Sequence, residues 1–205
     1  MSDRAALWLG TSALVLASNS RARRRLLEDA GVPVVTALPI VNERIGEAGW
    51  DKSGGGVSAR LALMKALSVA PDHPDCYVLG ADQTLTLGKR AISKPSSVNV
   101  ATRQLRDLCG ETHRLTSSAA IVRNGEILFQ ASEVAKMTMR KFSPAFLERY
   151  VSSVGDRLCE SVGAYQIEDV GVQLFSRMEY SHAVIMGLPL MPVLEFFRQR
   201  NLLSS

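Results

Sequence analysis

Residues 13–31 read ALVLASNSRARRRLLEDAG, and the fold class follows from how this stretch changes its period. ALVLAS (13–18) is a short unbroken apolar run rich in strand formers. Ser20 then precedes a segment in which Leu26 and Leu27 fall on one helical face, so Ser20 is a candidate N-cap and Gly31 a candidate C-terminal stop. The pattern is strand, tight loop, helix.

The same alternation continues outward. A second apolar segment, VPVVTALPI (32–40), leads into a polar, Gly-rich stretch from Glu43 to Gly56 that reads as a surface loop. Apolar residues at 57, 61, 64 and 67–69 have helical spacing, and Tyr77–Ala81 reads as a buried strand that ends at Asp82. Ser97–Leu108 reads as a helix closed by Gly110. Residues 113–122 and 127–139 form a hairpin turned by Asn124-Gly125. Ser143-Pro144 opens another helix, a strand is expected over 172–178, and an amphipathic helix over 190–200 follows Gly187-Leu188-Pro189. Strands mixed with helices, without repeat or linker, describe an α/β (mixed α+β) protein. Residues 13–205 read as one domain, preceded by a flexible extension over 1–12.

The 205 residues, 46% hydrophobic and 21% charged, suit a folded globular protein. The net charge of +4 comes from scattered Lys and Arg with no aromatic interleaving, which favours a small anionic ligand over nucleic acid. No apolar run approaches the roughly 20 residues of a membrane span. Three cysteines, Cys76, Cys109 and Cys159, match neither a disulfide framework nor a zinc motif, and the N-terminus lacks a clean signal-peptide core, so a cytoplasmic location is expected.

Two groups of residues could carry chemistry. Ser18, Ser20 and Arg23 stand at the strand-to-helix junction, where backbone N–H groups and the helix dipole favour an anion. The plainer alternative there is an N-cap followed by a solvated basic face. Glu43, Lys65, Asp82 and Lys94 are charges beside apolar segments, and phosphoryl transfer needs carboxylates for a divalent cation and cations for the polyphosphate. Each taken singly also reads as a surface charge. Asp82 stands out, because ligands of α/β folds collect at the carboxyl ends of strands. His73, His113 and His182 pair with no Cys at zinc-ligand spacing and read as structural or exposed; no GxGxxG, GxxxxGK[ST], GxSxG or HExxH occurs.

From about Leu14 onward the chain resembles the Maf family in ordered blocks. Leu14–Ser20 with Arg23 and Leu26-Leu27 is similar to LILASxSxxRxxLL. Asn42-Glu43 stands where Asp-Glu is usual, and Arg60-Leu61-Ala62 with Lys65-Ala66 resembles RLAxxKA. Gly80–Gln83 resembles the acidic motif and Ser93-Lys94-Pro95 the GKP that follows it. Gly110, His113 and Thr116 are similar to GxxHxVxT, Gly163–Glu168 to AGxYxIQG, and Gly187-Leu188-Pro189 to the closing VGLP.

The resemblance implies a Maf/ITPase-like two-lobed fold with a central mixed sheet and a deep substrate cleft. It further implies a homodimer that uses Mg²⁺ or Mn²⁺ to hydrolyse a nucleoside triphosphate to the monophosphate and diphosphate. By position, Ser18, Ser20 and Arg23 would cradle the triphosphate, Lys65 and Lys94 would clamp its charge, and Glu43 and Asp82 would organise metal and water, with Asp82 the proton acceptor. Gln83 and Glu168 resemble the branch that acts on 7-methyl-GTP rather than the dTTP/UTP branch, since a carboxylate suits the donors of a guanine edge. Ala22 and Asn42 depart from the family pattern, which keeps a non-catalytic nucleotide-binding regulator as an alternative. An interaction protein, suggested by the family's older link to septum formation, gains no support from an apolar patch or amphipathic membrane helix.

Overall fold

The computed structural model describes residues 7–42, 55–179 and 181–204. Strands β1 (Leu14–Ala17), β2 (Val34–Ala37), β3 (Val78–Leu87), β4 (Arg90–Ile92), β5 (Thr112–Arg123), β6 (Glu126–Met139) and β7 (Phe175–Glu179) alternate with helices. The helices are α1 (Arg21–Asp29), α2 (Gly55–Val69), α3 (Val98–Leu108), α4 (Pro144–Val154), α5 (His182–Ile185) and α6 (Leu190–Gln199). The strands hydrogen-bond in the order β2-β1-β3-β5-β6-β7, with β4 on β3. β1 is parallel to both β2 and β3, while β3–β4 and β6–β7 are antiparallel. The sheet is therefore mixed, as the α/β reading requires. No helix among the described residues is long and apolar enough to cross a membrane.

The chain divides into two compact units. One comprises Met1–Gln83, Thr116–Glu133 and Ser181–Ser205; the other comprises Thr84–Leu115 and Val134–Tyr180. In the first unit, strand alternation sorts side chains onto two faces. Leu14 and Leu16 of β1, Leu79 and Ala81 of β3, and Ala119 and Ile121 of β5 join Leu27 of α1 and Val193, Phe196 and Phe197 of α6 in one buried cluster. Val15 and Ala17, Val78, and Val122 face the other way and pack with Ala66 and Val69 of α2. Each large apolar side chain so buried contributes about 1.5–3 kcal/mol.

Helix α1 forms where the sequence places it. Ser20 Oγ accepts from Arg23 N at 3.3 Å as N-cap. At the other end Gly31 N donates to Glu28 O and Val32 N to Leu27 O, both at 3.0 Å, the paired bonds of a Schellman stop. Ser97 and Ser143 likewise cap α3 and α4. Three expectations need correction. The strand expected to end at Asp82 continues to Leu87, because Leu85 and Leu87 pair with Ile92 and Arg90 of β4 around a turn at Gly88. The strand expected over 172–178 starts at Phe175, since Val170–Leu174 close as a 3₁₀ turn. Of the extension over 1–12, residues 7–9 are anchored: Leu9 N donates to Leu202 O and Ser204 N to Leu7 O, each at 2.9 Å, and the Trp8 ring meets Phe197 edge-on at 5.2 Å. A tryptophan that finds a C-terminal partner loses the freedom expected of a terminus.

In the second unit His113, Tyr165 and Phe175 pack together, and His113 Nε2 lies 2.7 Å from Tyr165 Oη. Burial holds His113 down at about 4 and pushes the Tyr165 phenol far above its ordinary range. Neutral imidazole is therefore the folded form. In an unfolded chain the same group titrates near 6.5, so its contribution is intact above that pH and is lost as pH falls toward 4. Urea unfolding should show stability dropping by about 3 kcal/mol across that window, and His113→Asn should flatten the slope.

Candidate active site

Most of the residues picked out from the sequence converge in the first unit. The β1–α1 loop begins at Ser18, which is buried at the end of β1. Its Oγ accepts from Ser20 N at 3.2 Å and from Arg23 Nη1 at 3.3 Å. A hydroxyl with both acceptor positions taken keeps its proton to give, which suits an anion. Ser20, with Oγ engaged by Arg23 N, is placed likewise.

Arg23 is built into the scaffold. Its Nη1 also donates to Ala81 O at 2.8 Å and its Nε to Gly187 O at 2.9 Å, so one guanidinium ties the loop to β3 and to the turn after α5. That turn needs glycine, since Gly187 has φ +98 and a Cβ there would lie 3.2 Å from Arg23 Nε. Arg24 and Arg25 instead pair with Glu28 at 2.7 Å and Asp29 at 3.4 Å on the exposed helix face. For these two the plainer reading holds, and such pairs are worth about 0.3–0.5 kcal/mol.

Asp82 and Lys65 face each other between β3 and α2. Residues 78, 80 and 82 share the α2 side of β3, and Lys65 Nζ reaches Asp82 Oδ1 at 2.6 Å with the two side chains only 12% and 11% exposed. The pairing of β1 with β3 ends at Ala17↔Gly80. Although β3 continues, Asp82 therefore lies just past the carboxyl end of the parallel strands. There β1 has β2 on one side and β3 on the other, the switch point at which α/β folds collect ligands.

Gln83 points to the opposite face of β3. Its Nε2 lies 3.0 Å from each of Ser117 Oγ, Val184 O and Ile185 O. Carbonyls only accept, so the amide nitrogen must face them and the side-chain oxygen faces away. Ser117, buried on β5, donates to Val184 O at 2.6 Å. It was not among the residues chosen from the sequence. Counted from Gly110, the last position of GxxHxVxT falls on Ser117 and not on Thr116, and that count would have found it.

Three further residues were expected at the site from the sequence. Glu43 is outside the described residues. Lys94, exposed after β4, and Glu168, exposed before the 3₁₀ turn at Val170, belong to the second unit.

Comparison with known proteins agrees with the order of these blocks. The family model for "Maf-like protein" matches residues 13–200. A nucleoside triphosphate pyrophosphatase of Rhodopseudomonas palustris is 48% identical over 97% of this chain and 98% of its own length. A 7-methyl-GTP pyrophosphatase of Brucella abortus biovar 1 is 40% identical over 95% of this chain and 100% of its own. A HAM1 protein from Coxiella burnetii, at 16% identity and a TM-score of 0.40 over 62% of this chain and 72% of that one, is too distant to add to the assignment. With a family match across nearly the whole chain and relatives aligned end to end, this protein belongs to the Maf family.

Proposed function

We propose that this chain is a nucleoside triphosphate pyrophosphatase, a hydrolase that cleaves between the α- and β-phosphates and prefers 7-methyl-GTP. The observation that carries the reading is the Lys65–Asp82 pair at 2.6 Å, with Asp82 two residues past Gly80, whose partner Ala17 leads directly into the Ser18–Ser20 loop. Water attacks the α-phosphorus, the bond to the bridging oxygen breaks, and pyrophosphate leaves with that oxygen. Asp82 accepts the proton from the water. Lys65 keeps the carboxylate oriented and brings positive charge to where negative charge grows, while the Ser18 and Ser20 protons meet phosphate oxygens.

Among the described residues no group of three or more His, Cys, Asp or Glu is placed to hold a metal. Mg²⁺ does not require one, because it uses one or two carboxylates and takes further oxygens from phosphates and water. The hard oxygen donors here fit it: Asp82 would supply one carboxylate, and the family resemblance assigns Glu43 as the second. When bound, Mg²⁺ or Mn²⁺ would neutralise charge on the triphosphate.

The guanine preference is supported by Gln83, whose amide leaves an oxygen to accept from a base, and by the Brucella relative's name. The resemblance adds Glu168 as base reader, Lys94 as charge clamp and a homodimer as the assembly; Glu168→Gln, Lys94→Ala and light scattering test these one by one. The purified chain should release pyrophosphate from 7-methyl-GTP at a higher kcat/KM than from GTP, UTP or dTTP, and a chelator should abolish turnover. Preference for UTP or dTTP would move the assignment to the pyrimidine branch. Affinity without product would leave a nucleotide-binding regulator.

A further inference from the structure

We propose that Ser117 is a positioning residue for this reaction, acting through Gln83 and the 184–187 turn on Asp82 and Ser18. The proposal rests on the pyrophosphatase reading. Its ground is a closed ring of hydrogen bonds in the first unit. From β3, the Gln83 amide reaches the carbonyls of Val184 and Ile185. Two residues on, the Gly187 carbonyl accepts from Arg23 Nε, and Arg23 Nη1 returns to β3 at Ala81 O while also holding Ser18 Oγ. Asp82 therefore sits between two residues fixed to the same turn.

Ser117 joins this ring from β5. Its buried hydroxyl gives its one proton to Val184 O and takes one from Gln83 Nε2, so it fixes both the amide's rotation and the carbonyl it addresses. Without it, Gln83 keeps its two carbonyls but loses the link that ties the amide and the Val184 carbonyl to β5. A carboxylate that must meet a water in line with a phosphorus tolerates little displacement.

The neighbouring residue supplies the control. Ser118 is equally buried but points to the other side of β5, where its Oγ lies 2.7 Å from Ser58 Oγ and 2.7 Å from Ser132 Oγ. Deleting either hydroxyl removes a buried polar contact, yet only Ser117 belongs to the ring. With the best nucleoside triphosphate and Mg²⁺, Ser117→Ala should lower kcat about ten- to a hundredfold with KM within about twofold. Ser118→Ala should stay within about threefold in kcat even if its melting temperature falls as far. Ser117→Thr, which keeps the hydroxyl, should recover most of the loss. If Ser117→Ala does not fold, Ser117→Cys gives the same comparison with a weak donor of similar shape. Equal kcat losses in the two alanine variants, or an unchanged kcat in Ser117→Ala, overturn the proposal while the pyrophosphatase reading stands. A wild-type chain that cleaves no nucleoside triphosphate overturns both.

Discussion

Asp82→Asn should lower kcat by about 10³-fold while the protein stays folded, because the substitution keeps the shape of the side chain but removes the carboxylate that accepts the proton. Asn has nearly the shape of Asp, and its side-chain oxygen can still accept from Lys65 Nζ, now 2.6 Å from the carboxylate. What disappears is the negative charge. The Lys65 ammonium, only 12% exposed, then lacks its counter-charge at this contact, which should cost about 2–3 kcal/mol of stability. The comparison needs single-turnover kinetics beside a thermal melt. A variant within tenfold of wild type at saturating substrate would remove Asp82 from the role of base. A loss confined to KM would make it a binding group.

Which parts of this site were readable from residues alone follows from the range of the forces involved. Ser20 is legible as an N-cap, and Ser97 and Ser143 mark the starts of helices that they prove to cap, since a cap is settled within four residues by a hydroxyl and a backbone N–H. The Asn124-Gly125 hairpin was legible for the same reason, both residues taking the positive φ that its turn needs. Asp82 is visible as a charge at the end of an apolar run, but the strand that carries it runs on to Leu87. The alternation in Thr84–Leu87 became evident as a strand only once β4 paired with it. Arg23 was read as a phosphate ligand from its place at a helix N-terminus. Besides Ser18 Oγ it donates to Ala81 O and Gly187 O, backbone carbonyls 58 and 164 residues away, and carbonyls leave no mark in a sequence. The three acceptors from β5 and α5 that hold the Gln83 nitrogen, and so turn its oxygen away from them, leave no such mark either. Trp8 found its partner at the far end of the chain. Local chemistry was visible; the carbonyls that aim it were not.

Gly80→Ala should be the most damaging single-methyl change in the first unit. Gly80 lies on the α2 face of β3 between Val78 and Asp82, and a Cβ there falls 2.0 Å from Ala62 O and 2.6 Å from Ala66 N. Those atoms are backbone, so no rotamer change relieves the clash, and α2 must retreat as a body. Overpacking of this kind costs about 3 kcal/mol, equivalent to about 10 °C in melting temperature for a chain of this size. Gly88→Ala is the matched control: it adds the same methyl at φ +57, but with nothing within 4 Å. Its cost is limited to the backbone's left-handed conformation, about 1–2 kcal/mol. The kinetic consequence separates the two more sharply than stability does. Retreat of α2 carries Lys65 away from Asp82, so Gly80→Ala should lose kcat by about 10²-fold at temperatures where it remains folded, while Gly88→Ala keeps it. If both variants melt early but turn over normally, the distance between α2 and β3 does not set the geometry of the acid–cation pair. If only Gly80→Ala loses turnover, the absence of a side chain at residue 80 is what lets a lysine on α2 and an aspartate on β3 meet.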